Sequence, residues 1–467
     1  MAISEFYLDA ASGGADTNAG TGTGAHTILE TNGDWGNLAA NRYTATSGLP
    51  FASVNVGDWA SVYVDGASTA VYIAKVTTVG AGGLYVNLSA VNKMGTAPSV
   101  SPTGRSIKFG GAWTSLAVLN SLFASVAVAL PTRINIKYNA SAYALTTTNL
   151  ALGSSGVTAA PFMVRGYNTT ISDIDTDNTL AKPTISHTTG QFLVTGSYTN
   201  FFNLIITGAQ ITNGQVRTAT GSRIWFHQCR IECTSANSLG RAVSAGGASS
   251  TFTNCYLKST SSADIATPSS LGTFIGCTFD GGKHGIANAS GTSVVIAGNR
   301  FINQTSDGIN SSAANNVWWV LLNTFYNPTG SGFEQTVDPT TSSWIFWGNI
   351  FSESGDYDIN SSVGTVTSNI IRLFNLSHAP FTAAENGISD LPAIGAQIDS
   401  SSPFSNAAGG LFDIVSTSNA KGKGLGGVAF ENQTDVSYLD IGAVQRVEAA
   451  AGGVNRAALP SGVSAMG

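Results

Sequence analysis

One position recurs through the middle of the chain and constrains its folding more than any other feature. Asn203, Cys229, Cys255, Cys277, Asn299, Asn323, Asn349 and Asn369 sit in similar local strings, at gaps of 26, 26, 22, 22, 24, 26 and 20 residues, about 24 on average. Three residues before it stands an apolar side chain: Phe226, Phe252, Phe274, Ile296, Val320, Phe346 and Val366. Two residues after it stands another: Ile231, Leu257, Phe279, Phe301, Phe325, Phe351 and Ile371. Asn203 keeps only the second, as Ile205, so the repeat fades toward the N-terminus. A third column follows half a coil later: Val243, Ile265, Ile286, Ile309, Phe333 and Ile359, with Gly285, Gly308 and Gly332 directly before three of them. A unit this short cannot bury its apolar face alone and must stack on its neighbours.

The local period decides what the unit is. Alternation of period two marks strands, and no sustained 3.6-residue period accompanies the repeat. Inward residues at −3 and +2 are five apart, so the alternation breaks between them and a corner belongs there, with the Cys or Asn on it. Asn tolerates left-handed backbone and bonds neighbouring backbone, and stacked Asn amides can bond one another. Cysteine fills the same slot as a small hydrophobe. The pattern predicts an all-β fold, a right-handed single-stranded parallel β-helix of about 24 residues per coil, the hand following from the general rule for parallel crossovers. The plain reading of the four cysteines is a buried thiol stack. Cys229 and Cys233 have metal-pair spacing, but no second Cys/His pair accompanies them.

Composition narrows the function classes. Charged residues are 10% of the 467, and Lys plus Arg number 21 against 27 Asp plus Glu, a net charge of −6. Nucleic acid is therefore not expected as a partner, because phosphate binding needs clustered cations. The longest uncharged apolar stretch, 113–130, is interrupted by Asn120, Ser121 and Ser125, so no membrane span is expected. The N-terminal string has neither a basic nor an apolar signal region, and the chain reads as used from its first methionine. No cofactor or metal is expected.

The ends of the repeat differ from its middle. Residues 1–110 read as an extended segment followed by a small β-module, with strands at Trp59–Val64, 71–77 and 84–88, a possible attachment module. Within 111–131, Thr114 or Ser115 can cap a helix carrying Leu116, Leu119, Leu122, Phe123, Val126 and Leu130 on one face, and Pro131 stops it. We place that helix as the N-terminal cap of coils spanning 132–446, because an open solenoid end exposes core and unpaired backbone. Residues 447–467 have no periodic pattern and read as a flexible tail.

Several strings then resemble a known family. Phe6-Tyr7-Leu8-Asp9 with Gly14-Ala15-Asp16-Thr17-Asn18, Pro161-Phe162-Met163-Val164-Arg165-Gly166-Tyr167, Ser402-Pro403 with Asn406 and Gly409, and Asp440-Ile441-Gly442-Ala443 resemble pectin-lyase-like parallel β-helix proteins. Phage tailspikes and virion surface spikes of that type begin at their own methionine, often with an attachment module. The resemblance implies a homotrimer, other virion proteins as partners, and host surface polysaccharide as a possible ligand. The fold hosts many functions, so the resemblance implies fold more than activity.

Candidate chemistry is sparse. Glu232, Lys258 and Asp280 fall three residues after the ladder and should face outward. Glu232 and Asp280 lie two rungs, roughly 9–10 Å, apart, near the upper end for inverting glycosidases. The plainer reading is a surface charge ladder neutralised by Lys258. His284 and Asp307 occupy equivalent positions on adjacent coils, where a His over an Asp can form a general-base pair. Lys283-His284-Gly285 and Ser306-Asp307-Gly308 echo polygalacturonase-like strings, but in reverse order, without the second acidic pair and without an Arg-x-Lys; turn residues are the plainer reading. Asp173-x-Asp175-x-Asp177 lacks the Gly and Glu of a calcium loop, and the Gly422–427 run lacks the strand and helix of a nucleotide loop. Trp318 and Trp344 have inward parity. Trp225, Trp319 and Trp347 should point out, toward a glycan or a subunit interface. The reading is a virion surface protein for glycan attachment or particle decoration. The rivals are a polysaccharide lyase or glycoside hydrolase on the same fold, and a bacterial cell-surface adhesin.

Overall fold

The computed structural model describes residues 3–420, apart from 119–130, 153–160, 171–180, 387–396 and a set of shorter stretches. Two compact units divide the chain: unit 1 is Met1–Gln210 with Gln215–Arg230, and unit 2 is Ile211–Gly214 with Ile231–Gly467.

In unit 1 the first sheet holds parallel strands Ser4–Leu8, Thr132–Lys137, Phe162–Tyr167, Thr199–Phe202 and Ile224–His227. Ser4–Leu8 thus belongs to the coils, although 1–110 read as one N-terminal block. Between it and Thr132–Lys137 lies a closed antiparallel barrel of six strands from His26 to Gly110. Its interior is filled by Trp35, Tyr43, Phe51, Tyr72 and Phe109, among others. Trp59 faces away from that core. Its ring meets Phe6 edge-on at 5.0 Å, and Trp113 stacks on Phe6 at 5.5 Å. These two tryptophans cover the first strand's inward ring. Of the helix expected within 111–131, Leu116 and Val118 are helical, 111–115 precede it as non-helical chain, and 117 and 119–130 lie outside the described residues.

Unit 2 is a parallel β-solenoid of three sheets. Its first sheet stacks Ser250–Thr253, Gly272–Ile275, Ser293–Ala297, Val317–Leu321, Ser343–Trp347 and Ile370–Leu373. The second stacks Arg241–Ala245, Ala266–Pro268, Ile286–Asn288, Ile309–Ser311, Phe333–Gln335, Tyr357–Ser361 and Ala383–Asn386. The third runs from Tyr256–Ser259 through Thr278–Gly281, Arg300–Ile302, Thr324–Tyr326, Ile350–Ser352 and Leu376–His378 to Gln397–Asp399. Phe252, Phe274, Ile296, Val320, Phe346 and Arg372 are register partners, so the coils lengthen from 22 to 26 residues toward the C-terminus.

Stacking of like on like holds the coils together. Phe279, Phe301, Phe325 and Phe351 lie nearly parallel at 4.6, 4.7 and 4.8 Å, all buried. That spacing is the distance between paired strands, so each ring uses the whole rise of a coil. Each buried Phe is worth about 1.5–3 kcal/mol of transfer free energy. At the corner, Asn323 Oδ1 accepts from Asn299 N and Nδ2 at 2.9 and 3.0 Å, and Asn349 Oδ1 accepts likewise from Asn323. Cys277 fills the same slot, and its N–H donates to Asn299 Oδ1 at 2.7 Å. All four cysteines are buried thiols.

Three details differ from the sequence reading. The last rung is Asn375, not Asn369: Asn375 Oδ1 accepts from Asn349 N and Nδ2, both at 2.9 Å. Asn369 and Val366 lie outside the described residues, and Ile371 points outward at 49% exposure. The true rung has Arg372 at −3 and Ser377 at +2, both polar, so the apolar columns misdirect the register there. In the third column Ala266, rather than Ile265, pairs with Val243 and Ile286; both are buried, and hydropathy cannot choose between them. The left-handed residue at the unit 2 corner is the one before the ladder position (Gly276, Gly298, Leu322, Gly348 and Phe374), leaving the Asn free to send its amide along the stack.

Candidate functional site

Titratable side chains gather at the turns that lead into the second sheet of unit 2. The residue two before each inward-facing position is Arg241, Asp264, His284, Asp307 and Ser331 in succession. The in-register stacking that aligns the core aligns these as well. His284 Nδ1 lies 2.7 Å from Asp264 Oδ1, and its Nε2 lies 3.3 Å from Asp307 Oδ2. Arg241 Nη2 is 3.7 Å from Asp264 Oδ2. Asp307 also accepts from Ser331 N at 2.9 Å and Asn310 Nδ2 at 3.0 Å. Ser331 Oγ donates to Glu334 Oε2 at 3.2 Å, and Asn360 Nδ2 donates to the same oxygen.

Burial is the largest single influence on His284 and disfavours its charge, but two carboxylates together outweigh it and hold the imidazole above its ordinary range. Burial likewise pushes Asp307 up; His284, Asn310 and the Ser331 N–H reverse this and hold it low. Glu334 is raised by burial. Both ring nitrogens of His284 are engaged by carboxylates, so neither is free to take a proton from a substrate. His284, Asp307 and Glu334 are each less than a tenth exposed. The arrangement is a charge row binding three coils together. Asp264, which completes it, has no counterpart in a sequence motif: it lies one residue before Ile265, the register position that hydropathy misassigns.

In the third-sheet row Lys258 and Asp280 satisfy each other. Glu232 on the strand Arg230–Cys233, Lys258 on Tyr256–Ser259 and Asp280 on Thr278–Gly281 lie on consecutive strands. Lys258 Nζ pairs with Asp280 Oδ2 at 2.9 Å, and Tyr256 OH donates to the same oxygen. That bond to Asp280 is the main reason the Lys258 ammonium is held above its ordinary range.

The first sheets of the two units have outer faces of different character. In unit 1, Tyr7, Asn135, Arg165, Phe202 and His227 are in register, beside Glu5, Arg133, Met163, Asn200 and Trp225. Arg133 Nη1 pairs with Glu5 Oε1 at 2.8 Å, and Tyr7 OH donates to Glu5 Oε2 at 2.8 Å. Arg165 Nη2 donates to Asn135 Oδ1 at 2.9 Å, while its buried Nε has no hydrogen-bond partner among the described residues. Phe202 meets Trp225 edge-on at 5.4 Å, and Trp225 lies 5.4 Å from His227. Rings next to guanidinium, amide and carboxylate groups are the chemistry that binds sugars: apolar faces for stacking and donors or acceptors for hydroxyls.

In unit 2 the corresponding positions are Val295, Trp319, Ile345 and Ile371, beside Ala297, Leu321, Trp347 and Leu373. Trp319 is 46% exposed, and Trp347 is half-buried. Trp318 and Trp344 are fully buried, as their parity required. Trp347 Nε1 is buried with no hydrogen-bond partner among the described residues, and the polar side chains of these rows, Thr251, Thr253 and Thr273, lie on the two strands before Val295.

No protein-family model matches the chain. No curated protein matches it either. Among solved structures it is similar to the pectate lyase Pel9A, at 15% identity over 72% of this chain and 92% of that one, with a TM-score of 0.46. It is also similar to the Dettilon tailspike protein gp208, at 13% identity over 58% of this chain and 55% of that one, TM-score 0.40. An alginate lyase from Paenibacillus sp. gives 14% identity over 61% of this chain and 96% of that one, TM-score 0.36. The protein is a parallel β-helix. Along this β-helix, the sequence pointed to Trp225, Trp319 and Trp347 but not to the Tyr7–Arg165–His227 row. The repeat fades before Asn203, so no register was available to align strands from distant parts of unit 1. The one local signal was the alternation in Phe162–Tyr167.

Proposed function

We propose that the protein is a virion surface protein, a tailspike or head-decorating spike, that attaches its particle to host-surface glycans and assembles as a homotrimer. The observation that carries the glycan part is the unit 1 face whose two neighbouring rows hold the half-buried rings of Tyr7, Phe202, Trp225 and His227 together with Arg133 and Arg165. The self-association part draws on the uncharged rows around Trp319, whose chemistry suits a subunit contact better than a sugar. A panel of bacterial polysaccharides tests the first part. Binding should be measurable, and Trp225→Ala or Arg165→Gln should each weaken it about tenfold, the scale of one lost charged or stacked contact. Failure of every polysaccharide to bind, or unchanged binding by both variants, overturns it. Mass spectrometry of purified virions tests the particle assignment.

A second reading is a polysaccharide depolymerase. It draws on Asp307 held below and Glu334 held above the ordinary carboxylate range, both bonded to Ser331, a division that acid–base catalysis uses. Release of reducing ends or of unsaturated, ultraviolet-absorbing products from the same panel would establish it over simple attachment.

A further inference from the structure

The aromatic column of unit 2 and the glycine column beside it end together, and a carboxyl group stands where they end. Gly285, Gly308 and Gly332 precede the inward residues Ile286, Ile309 and Phe333. A Cβ on Gly285 would stand 2.5 Å from the Phe301 ring, one on Gly308 2.5 Å from the Phe325 ring, and one on Gly332 against Phe351. Each glycine is thus required by the phenylalanine of the following coil. The next member of the glycine column is Asp358, directly before Ile359. The next member of the aromatic column, the register partner of Phe351, is Ser377. Replacing a ring by a hydroxymethyl group opens the space that the Asp358 side chain fills.

That side chain is 2% exposed. Ser354 Oγ donates to its Oδ1 at 3.1 Å, and Ser377 also bonds it. Oδ2 has no hydrogen-bond partner among the described residues. The charged or titratable residues on the elements around it are Glu334 on Phe333–Gln335, Glu385 on Ala383–Asn386, Glu353 and Asp356 in the preceding turn, Tyr357 beside it, His378 on Leu376–His378, and Arg372 on Ile370–Leu373. Burial dominates its state, opposed by the two serine hydroxyls, and pushes the carboxyl up to about 7. A carboxylate here would be ionised in the core without a counter-charge among the described residues, at a large desolvation cost.

We propose that Asp358 is a neutral carboxylic-acid plug for the last coils of the solenoid, and that losing its proton loosens this end of unit 2. Ser377 places the effect on the Leu376–His378 strand, whose outward Leu376 lies under the covering hairpin residues Phe404 and Ile414. The C-terminal coil and its cover are therefore a pH-sensitive element, closed in mildly acidic medium and labile in alkaline medium.

The sign follows from linkage. A carboxyl raised in the fold stays protonated while the unfolded chain ionises, so folding weakens as pH rises from the ordinary value of 3.8 to about 7. Urea unfolding of the full chain between pH 5 and 8, with wild type and Asp358→Asn, reads this. The ratio of folding constants, wild type over variant, should fall about tenfold per pH unit up to about pH 7 and then level off. His284 also titrates, but it is common to both proteins and cancels in the ratio. A flat ratio overturns the proposal. If Asp358→Asn does not fold, hydrogen exchange of the wild type decides. After correction for intrinsic rates, protection in 357–361 and 376–378 should fall between pH 6 and 8 relative to 293–297; equal protection at both pH values overturns it.

Discussion

Two outer faces of unit 2 turn apolar over the same coils, and the chain treats them differently. On the third sheet the outward side chains become Ile302, Tyr326, Ile350 and Leu376, and the chain returns to cover them with Phe404, Phe412 and Ile414. Tyr326 meets the Phe412 ring at 5.6 Å, and Phe404 meets it at 5.3 Å. On the first sheet the outward side chains become Val295, Trp319, Ile345 and Ile371, and Trp319 and Ile371 keep nearly half their surface exposed. A β-helix strand is free to be polar outside, so apolar residues there mark a face that something covers. One cover is intramolecular; in the proposed homotrimer a second copy of the chain would supply the other.

The largest expected effect separates these cases. Phe412→Ala removes a ring from the covered face and should cost about 3–5 kcal/mol in urea unfolding. Trp319→Ala removes a larger ring from the open face and should cost the monomer under about 1 kcal/mol. Equal costs would mean that the described surface of Trp319 is not open. Next, Trp319→Glu places a charge in the assigned contact. Light scattering should show loss of the oligomer, whereas the same substitution at the outward-facing Ser293 of the row edge should leave it intact. An oligomer that survives Trp319→Glu removes the first sheet from the interface.

The second sheet gives the smallest and most conditional effect, because its outer row is polar and self-paired. His284 is raised in the fold, so its contribution is complete below its ordinary value of 6.5 and is lost as pH rises through the folded value. Asp307 is lowered, so its contribution is lost as pH falls below its ordinary 3.8. His284→Gln should therefore cost most between about pH 4 and 6.5 and progressively less above that window. A cost that is constant with pH would show that the row is held by packing rather than charge.

How much was legible followed from where the repeat is regular. From Phe252 to Phe351 the columns of identical residues gave coil, corner and inward parity, including the burial of Trp318 and Trp344. At the last rung Arg372 and Ser377 replace apolar residues, and the pattern slid to Asn369. In unit 1 the pattern had already faded, and the Arg165 row was invisible. His284 and Asp307 were aligned by the repeat, but Asp264 was not, because its neighbours Ile265 and Ala266 satisfy either register.

The sequence alone determined that strands stack in parallel coils, since a side chain repeated at coil spacing can be buried only against its own copies. It determined the corner ladder for the same reason. Only the tertiary structure decided which neighbour each polar group meets. That His284 sits between two carboxylates, that Asp358 fills the place of a glycine, and that a hairpin covers one apolar face while another stays open all depend on the register between coils. Register is a sum of many weak preferences, and a single polar residue in a column is enough to hide it from the sequence.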